Sequence, residues 1–317
     1  MKRFNILFLG GGKRVAIGRM FLAACQAHGV EGRITGYEAT ETVPLALIGE
    51  IVAGKAWNDP GLLDDLHNLV IERDIHMVVP FVDPAVGVAA SLAARFGGDV
   101  FAPVSAPEAA SAMFDKIRAA EAFERAGLPI PRTYSPGDPS LRLIAKPRYG
   151  SASKGIVVIN SLQKLYELQG QGDKYLIQER IDNRQEITVD CYVGCRSGRV
   201  LAVSPRVRLE VSGGEAVRTI TVDDPEAVAL ATRTLKALKL RGAVTVQLIR
   251  DLDDGRTMVM EVNPRLGGGV VCSVHAGVDI PSLAVGEALG LTEPEATILP
   301  EAGVLTARYL EDAVFKI

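Results

Sequence analysis

Between residues 4 and 105, short apolar runs that suit β-strands alternate with segments whose apolar residues recur at helical spacing. Strands that alternate with helices along a chain build a parallel sheet with helices on both faces. The alternation therefore predicts a doubly wound α/β domain over residues 1–105. Its predicted strands are 4–9, 33–38 and 75–81, and its predicted helices are 15–28, 60–73 and 85–96.

Three glycines follow the first predicted strand, and an acidic residue ends the second. Gly10–Gly12 could bring backbone amides to a phosphate at a helix N-terminus, and Glu38 stands where dinucleotide-binding domains hold a ribose. However, a G-x-G-x-x-G motif counted from Gly10 needs glycine at position 15, which is valine here. The motif is weak, so an NAD-dependent oxidoreductase and a tight turn without a ligand both stay open, with the turn favoured.

The turn-rich segment GLPIPRTYSPGDPS marks a boundary near residue 130, after a predicted helix at 107–126. The strand, loop and helix patterns that follow predict a compact two-layer lobe. Long strand patterns come after that lobe and predict an antiparallel sheet backed by helices. We therefore expect a linker helix and small lobe at 106–182 and a large lobe at 183–317.

The composition excludes several classes of protein. A formal net charge of −3 lacks the basic excess of nucleic-acid binders. The apolar stretch 77–96 holds Pro80, Asp83 and Pro84, which argues against a membrane span. The four cysteines contain no C-x-x-C pair and do not suggest a disulfide framework. We expect a cytoplasmic protein with reduced thiols, small-molecule partners, and no nucleic-acid or membrane partner.

The stretch VMEVNPRLGGG, at 259–269, carries two oxygen-bearing side chains two residues apart. Glu261 and Asn263 share one face of a predicted strand, because side chains alternate with period two. A three-residue hairpin loop at 253–255 connects this strand to the one before it, in a register that places Gln247 opposite Glu261. Three oxygen donors would then converge. Such a set suits Mg²⁺, which completes its octahedron with water and phosphate oxygens.

Other residues fit a phosphate beside that metal. Arg265 carries a planar fork suited to phosphate or carboxylate, and the glycines at 267–269 allow a close approach of the backbone to a ligand. Lys146 closes the strand pattern LRLIAKP, where a lone lysine either snorkels to solvent or points at an anion. The small-residue loop at 150–155 resembles phosphate-covering loops without satisfying the Walker A pattern. Taken alone, it would be an ordinary hairpin turn.

The order of these residues closely resembles the ATP-grasp superfamily, over essentially the whole chain. Within the superfamily the sequence is most similar to the carbamoyl phosphate synthase large-chain group, where glutamine commonly holds the position of Gln247. The resemblance implies an ATP-grasp fold, mixed α/β and α+β, behind an N-terminal pre-ATP-grasp domain. It rests on Asp115-Lys116, Lys146-Pro147, the loop at 150–155, Gln178-Glu179-Arg180-Ile181, Glu186 with Asp190, Gln247, and Glu261-Val262-Asn263-Pro264-Arg265.

The resemblance implies a nucleotide site between the lobes. Lys116 and Lys146 would contact the phosphates of ATP, and the loop with Ser151 and Ser153 would close over them. Without the resemblance, Lys116 could equally lie on a solvated helix face. The other implied ATP ligands are Gln178, Glu179 and Ile181 at the adenine and Glu186 at the ribose, although both glutamates could instead be exposed strand charges.

The resemblance also implies the catalytic centre. Gln247, Glu261 and Asn263 would hold one or two Mg²⁺ ions, with Mn²⁺ as a substitute. Arg265 and Lys146 would act on the transferred phosphoryl group. Four further residues are candidate substrate contacts, each with an ordinary structural alternative such as a surface cluster or a structural histidine. They are Arg206, Arg218, Gly268 and His275.

These roles predict an ATP-dependent carboxylate–amine or carboxylate–thiol ligase that releases ADP and forms an acyl phosphate. A complete carbamoyl phosphate synthase large chain has two grasp halves, whereas this sequence has room for one, so we favour a stand-alone ligase. A homodimer is expected because dimers are common among similar proteins. The alternatives are an NAD-dependent oxidoreductase and a non-catalytic nucleotide-binding module.

Overall fold

The computed structural model describes residues 1–135, 142–150, 154–213 and 215–316, and the strands within them form three sheets. The first sheet, near the N-terminus, consists of β1 (Lys2–Leu9), β2 (Val30–Glu38), β3 (Glu50–Ala53) and β4 (Ile75–Pro80), with helices α1 (Val15–Ala27), α2 (Leu62–Glu72) and α3 (Asp83–Arg95). It is parallel, in the order β3-β2-β1-β4, as the alternation of strands and helices predicts.

The sequence did not predict β3. This strand has four residues, none of them buried, and it lies at the edge of the sheet next to β2. A strand this short and exposed carries neither an apolar run nor a clear alternation of polar and apolar residues. Its register beside β2 therefore comes from tertiary pairing and not from a local pattern.

The single helix predicted at 107–126 is in fact two helices, α4 (Pro107–Phe114) and α5 (Lys116–Arg125). Asp115 separates them with an extended backbone, at φ −105° and ψ 105°. Its carboxylate accepts hydrogen bonds from the backbone N–H groups of Ile117 and Arg118 at 3.1 and 3.2 Å, which caps the second helix. The prediction was wrong at this point because the capping side chain interrupts an otherwise continuous helical pattern.

The small lobe is a three-stranded antiparallel sheet in the order β6-β5-β7, with one helix against it. Its core comprises Leu143, Ala145 and Ile159 from the sheet and Leu165 and Leu168 from the helix. Its elements are β5 (Leu143–Pro147), β6 (Val157–Ile159), α6 (Leu162–Gln169) and β7 (Tyr175–Glu179).

The large lobe contains a six-stranded sheet in the order β12-β11-β8-β9-β10-β13, antiparallel throughout as predicted. Helix α7 packs Leu230 and Leu235 onto one face of that sheet, against Val189 and Val244. The elements are β8 (Arg184–Val193), β9 (Val200–Ser212), β10 (Glu215–Thr221), α7 (Pro225–Ala237), β11 (Gly242–Asp251), β12 (Thr257–Asn263), α8 (Val270–His275), α9 (Ile280–Ala288) and β13 (Leu305–Ala307).

The N-terminal sheet and the large lobe share one hydrophobic core, which the sequence patterns did not indicate. Phe8 and Phe21 belong to the same buried cluster as Tyr192 and Val285, and α1 packs on α9. This packing fixes the carboxyl ends of the parallel strands beside the large sheet. Among the described residues, no helix is both long and apolar enough to cross a membrane.

Candidate active site

A cavity of about 520 Å³ lies where the three sheets meet. The N-terminal sheet reaches it through Asp83 at the start of α3, the small lobe through Lys146, and the large lobe through Glu261. Most of the residues predicted for ATP and metal line this one cavity. The described ones are Lys116, Lys146, Gln178, Glu179, Ile181, Glu186, Gln247, Glu261, Asn263 and Arg265.

The predicted pairing of Gln247 with Glu261 is present, although the hairpin reaches it by another route. The loop at 252–255 has four residues and not three, because Asp251 N–H bonds to the carbonyl of Arg256 at 2.9 Å. A regular ladder from that loop would place Gln247 opposite the residue before Glu261. A β-bulge in β12 inserts that residue and restores the predicted pairing.

Three oxygen donors line one wall of the cavity. Gln247 and Glu261 are partly exposed there, and Asn263 is buried. Within the described ranges, no protein group bonds to these three side chains, and no three Asp, Glu, His or Cys side chains cluster as a metal site. Two neutral carboxamides and one carboxylate form an oxygen-only set, which suits a hard cation that also takes ligands from phosphates.

Lys146 lies in the same cavity and is oriented by Gln178. Its Nζ donates to Gln178 Oε1 at 2.9 Å, and Gln178 Nε2 donates to the carbonyl of Pro131 at 3.0 Å. Burial lowers the pKa of Lys146 to about 8, and Lys116 also lowers it, while Glu261 and Glu186 oppose these effects. The Gln178 side chain, predicted to contact adenine, is buried and serves here to hold the lysine.

Lys116 begins α5 and lines the same cavity as Lys146. Its Nζ donates to the carbonyl of Gly150 at 2.6 Å, and its backbone N–H donates to the carbonyl of Arg148 at 3.0 Å. These contacts attach the first turn of α5 to the start of the predicted phosphate loop. Ser151 and Ser153, predicted as ATP contacts, lie outside the described residues.

The two glutamates predicted at adenine and ribose are paired with arginines. Glu179 forms an ion pair with Arg256 at 3.0 Å and accepts from the backbone N–H of Arg132 at 2.9 Å. Glu186 pairs with Arg208 and, at 3.3 Å, with Arg184. Both glutamates line the cavity, as does the buried Ile181. A nucleotide bound next to Glu179 and Glu186 would therefore meet carboxylates whose charge arginines already neutralise.

Arg265 contacts a residue that sequence reasoning did not select. Its Nε donates to Asp83 Oδ1 at 2.6 Å, and Nη1 donates to the carbonyl of Leu266 at 3.2 Å. Asp83 stands at the start of α3, and both charged groups line the cavity. The pairing joins the N-terminal sheet to the segment after the β11–β12 hairpin across a long sequence separation, so no local signal could have revealed it.

Two of the four candidate substrate residues lie at the cavity. Arg206 lines it but is only 2% exposed, because its guanidinium binds Asp190 at 2.7 and 3.3 Å. Gly268 also lines the cavity. Arg218 is exposed on β10, and His275 is exposed at the end of α8; neither reaches the cavity wall. Of the two candidate arginines, Arg206 thus lies in a buried ion pair and Arg218 lies in solvent.

The glycine turn after β1 faces Glu38. A Cβ added at Gly12 would lie 3.1 Å from Glu38 Oε2. Burial raises the pKa of Glu38, and the backbone N–H groups of Gly12 and Gly11 oppose that rise. The amides that would bind a dinucleotide phosphate therefore interact with an acid of the chain itself, which disfavours an NAD site here.

Comparison with known families gives a match over part of the chain. Residues 171–313 match the family described as "ATP-grasp in the biosynthetic pathway with Ter operon". The matched segment includes β8–β12 and therefore the three oxygen donors, Glu186 and Arg265.

Solved structures resemble nearly the whole chain. The biotin carboxylase domain dimer of the Hydrogenobacter thermophilus 2-oxoglutarate carboxylase, solved with MgADP, ADP and bicarbonate, has a TM-score of 0.75 at 16% identity, over 94% of this chain and 72% of that one. The N5-carboxyaminoimidazole synthetase of Staphylococcus aureus, complexed with ADP, gives 0.70 at 16% identity, over 93% and 79%. The L-amino acid ligase of Bacillus licheniformis gives 0.69 at 17% identity, over 92% and 76%. The chain has the ATP-grasp fold, so the predicted fold class is confirmed, and the partial family match agrees with the resemblance to the ATP-grasp superfamily.

Proposed function

We propose that this protein is an ATP-dependent ligase that joins a carboxylate to an amine or a thiol through an acyl phosphate. One observation carries the proposal: three oxygen-bearing side chains, to which no protein group in the described part of the chain hydrogen-bonds, share a cavity with two lysines. Oxygen donors of this kind suit a divalent cation, and lysines suit the phosphates that such a cation accompanies. Together the two sets of residues fit a site for a nucleoside triphosphate with its metal ion.

ATP would lie with its phosphates toward Lys116 and Lys146 and its base toward β7. Glu179 and Ile181, which line the cavity, would border the base, and Glu186, which also lines it, would border the ribose. Gln178 would contribute by holding Lys146, since both ends of its amide are already engaged. This arrangement differs from the implied adenine contact only in the role of the Gln178 side chain.

Gln247, Glu261 and Asn263 would hold Mg²⁺, and their oxygen-only chemistry fits that ion. When bound, the ion neutralises charge on the terminal phosphates. Manganese has the same preference for oxygen ligands and would substitute. Of these three side chains, Glu261 carries a formal negative charge and the two carboxamides are neutral, so Glu261 would contribute most to holding the ion.

The reaction needs no nucleophile from the protein. A substrate carboxylate attacks the γ-phosphorus, the bond to the β-phosphate oxygen breaks, and ADP leaves with an acyl phosphate remaining. An amine or thiol then attacks the acyl carbon and releases phosphate. Arg265, held by Asp83, would bind the phosphoryl oxygens during both steps, and Lys146 would pair with the γ-phosphate. The walls of the cavity would keep water from the acyl phosphate.

An ADP-release screen tests the proposal. Purified protein with Mg²⁺ and ATP is given amino acids and small carboxylates one at a time, with hydroxylamine as a general amine that converts acyl phosphates to hydroxamates. We expect ADP and hydroxamate to appear together with at least one carboxylate. The variant Glu261→Ala should form neither, whereas Glu167→Ala, an exposed change on α6, should behave as the parent protein does.

Three results would count against the proposal. Nucleotide binding without ADP release from any carboxylate would favour a non-catalytic nucleotide-binding module. Tight NADH binding without ATP binding would favour an oxidoreductase. Normal ADP release by a folded Glu261→Ala protein would refute the metal assignment. The domain limits, a homodimer and a cytoplasmic location stay predictions.

A further inference from the structure

Asp115 is buried at the junction between the linker helices and the small lobe, and its carboxylate binds both. Oδ1 accepts from the backbone N–H groups of Ile117 and Arg118 in the first turn of α5. Oδ2 accepts from Arg148 Nε at 2.8 Å and from the hydroxyl of Tyr149 at 3.0 Å. We call these four contacts the Asp115 clamp. A single carboxylate thereby fixes the start of a helix to the end of a strand.

Lys116 reinforces the Asp115 clamp from the neighbouring position. Its backbone N–H bonds to the carbonyl of Arg148, and its Nζ bonds to the carbonyl of Gly150. Residues 115–118 are therefore held against residues 148–150 by side-chain and backbone bonds together. Because Lys146 lies only two residues before Arg148, the same bonds set where Lys146 stands relative to Lys116.

The two lysines need such support because they repel each other. Both line the cavity, and the charge of Lys116 is one cause of the lowered pKa of Lys146. Like charges in a confined space move apart unless the backbone holds them. Their repulsion is relieved when a polyanion binds between them, so fixed lysines favour binding of terminal phosphates.

The charge on Asp115 is directed at Arg148 and not at the lysines. Burial acts to raise the pKa of Asp115, but hydrogen bonds from Arg148, the backbone of Arg118 and Tyr149 outweigh it and hold the pKa below its usual value. The carboxylate thus stays ionised near neutral pH. Paired in this way, Asp115 and Arg148 cancel each other and leave the lysine charges available to an anion.

We propose that Asp115 is a positioning residue that holds Lys116 and Lys146 at the spacing required by the terminal phosphates of ATP. The inference rests on the proposed function, since it presumes that ATP occupies the cavity. It goes further by predicting that the clamp favours a triphosphate over the nucleoside alone. Asp115 itself touches no phosphate in this account.

The test uses Asp115→Asn, because asparagine still caps a helix but loses the ionic bond to Arg148. Calorimetry would measure binding of the non-hydrolysable analogue AMP-PNP with Mg²⁺, and of adenosine, to the full chain. We expect Asp115→Asn to weaken AMP-PNP binding by about tenfold and adenosine binding less than about twofold. Arg148→Gln should give the same pattern, and Glu167→Gln, which removes the 3.1 Å pair with Lys164 on α6, should change neither affinity.

The outcomes separate this inference from the proposed function. If Asp115→Asn weakens binding of AMP-PNP and of adenosine equally, the residue acts only on the fold. If AMP-PNP binding is unchanged, the clamp does not set the spacing of the two lysines. Either result overturns the inference while the ligase proposal stands. If the parent protein binds neither ligand, the proposed function fails, and the inference with it. Thermal unfolding of each variant confirms that the protein measured is folded.

Discussion

Asp83 and Arg265 form an ion pair of 2.6 Å at the cavity, although Asp83 starts a helix of the N-terminal domain and Arg265 follows the β11–β12 hairpin. The carboxylate engages Nε and the carbonyl of Leu266 accepts from Nη1, so among the described contacts Nη2 is left to face an anion. An arginine whose guanidinium is already bound to a carboxylate loses less side-chain entropy when it binds a phosphoryl group. The N-terminal domain thereby contributes to the site without a direct phosphate contact.

This geometry predicts that Asp83→Asn slows turnover more than it weakens nucleotide binding. The neutral amide cannot hold the guanidinium ionically, and we expect kcat for the carboxylate found in the screen to fall by about tenfold. AMP-PNP affinity should change less than about twofold. The matched control is Asp64→Asn, which removes an exposed pair with Arg95 of similar length, 2.7 Å. An equal loss of binding and turnover would contradict the role given to Asp83.

The lowered pKa of Lys146 predicts a pH dependence of nucleotide binding. The free protein carries the Lys146 proton below about pH 8 and loses it above that value. Because the phosphates bind the ammonium form, AMP-PNP affinity should be highest near pH 7, where Lys146 is mostly protonated. It should fall as the pH rises through 8 toward 9. Titration calorimetry over that range measures the effect.

A substitution isolates that lysine. Lys146→Arg should remove the decline above pH 8, because a guanidinium remains protonated there. Lys164→Arg on the exposed face of α6 should leave the decline unchanged. A parent protein whose affinity does not vary between pH 7 and 9 would show that Lys146 does not bind the phosphates.

The pairing of Gln247 with Glu261 predicts that the metal affinity can be tuned. A second carboxylate in the set strengthens a hard cation's binding, so Gln247→Glu should lower the Mg²⁺ concentration that gives half-maximal ADP release by severalfold, and Gln247→Leu should raise it. Gln163→Glu, on the exposed face of α6, controls for added charge. Identical Mg²⁺ dependence in all these proteins would place the metal elsewhere.

The sequence predicted which residues line the cavity more completely than it predicted the hydrogen bonds and ion pairs that those residues form. Residue spacing placed Glu261 and Asn263 together because strand periodicity is local. The pairing with Gln247 was right although two local details were wrong, since the longer loop and the bulge offset each other. Neither detail has a strong sequence pattern, as both loop lengths suit a turn containing glycine.

Other features depend on tertiary neighbours that no window of sequence contains. Arg206 was predicted to face a substrate, yet β8 lies beside β9 and provides Asp190 as its partner. A basic residue in a strand pattern looks the same whether a ligand or a buried carboxylate neutralises it. Asp115, by contrast, is a residue type that often caps helices, so the sequence contained a signal for a helix start. The helical pattern continues on both sides of it, and the break between α4 and α5 was therefore missed.

The Arg206–Asp190 pair itself predicts a large effect on stability. Both side chains are almost fully buried, and Asp190 also accepts from Ser273 Oγ at 2.8 Å. Removing the carboxylate alone leaves a buried guanidinium without its counter-charge, so Asp190→Ala should lower the free energy of unfolding by about 3–5 kcal/mol. Urea unfolding followed by circular dichroism measures this change.

Replacing both partners separates the cost of an unpaired charge from the value of the pair. The double variant Asp190→Leu with Arg206→Met removes both charges from the interior, and it should regain much of the stability lost in Asp190→Ala because no isolated ion remains buried. Asp182→Ala, which breaks partly exposed pairs with Arg142 and Arg180, should cost far less stability, since water screens those charges. If Asp190→Ala lowered the free energy of unfolding as little as Asp182→Ala, the guanidinium of Arg206 would have to bind another anion or reach water. Arg206, which lies next to Gly269 at the cavity, would then be accessible to a substrate.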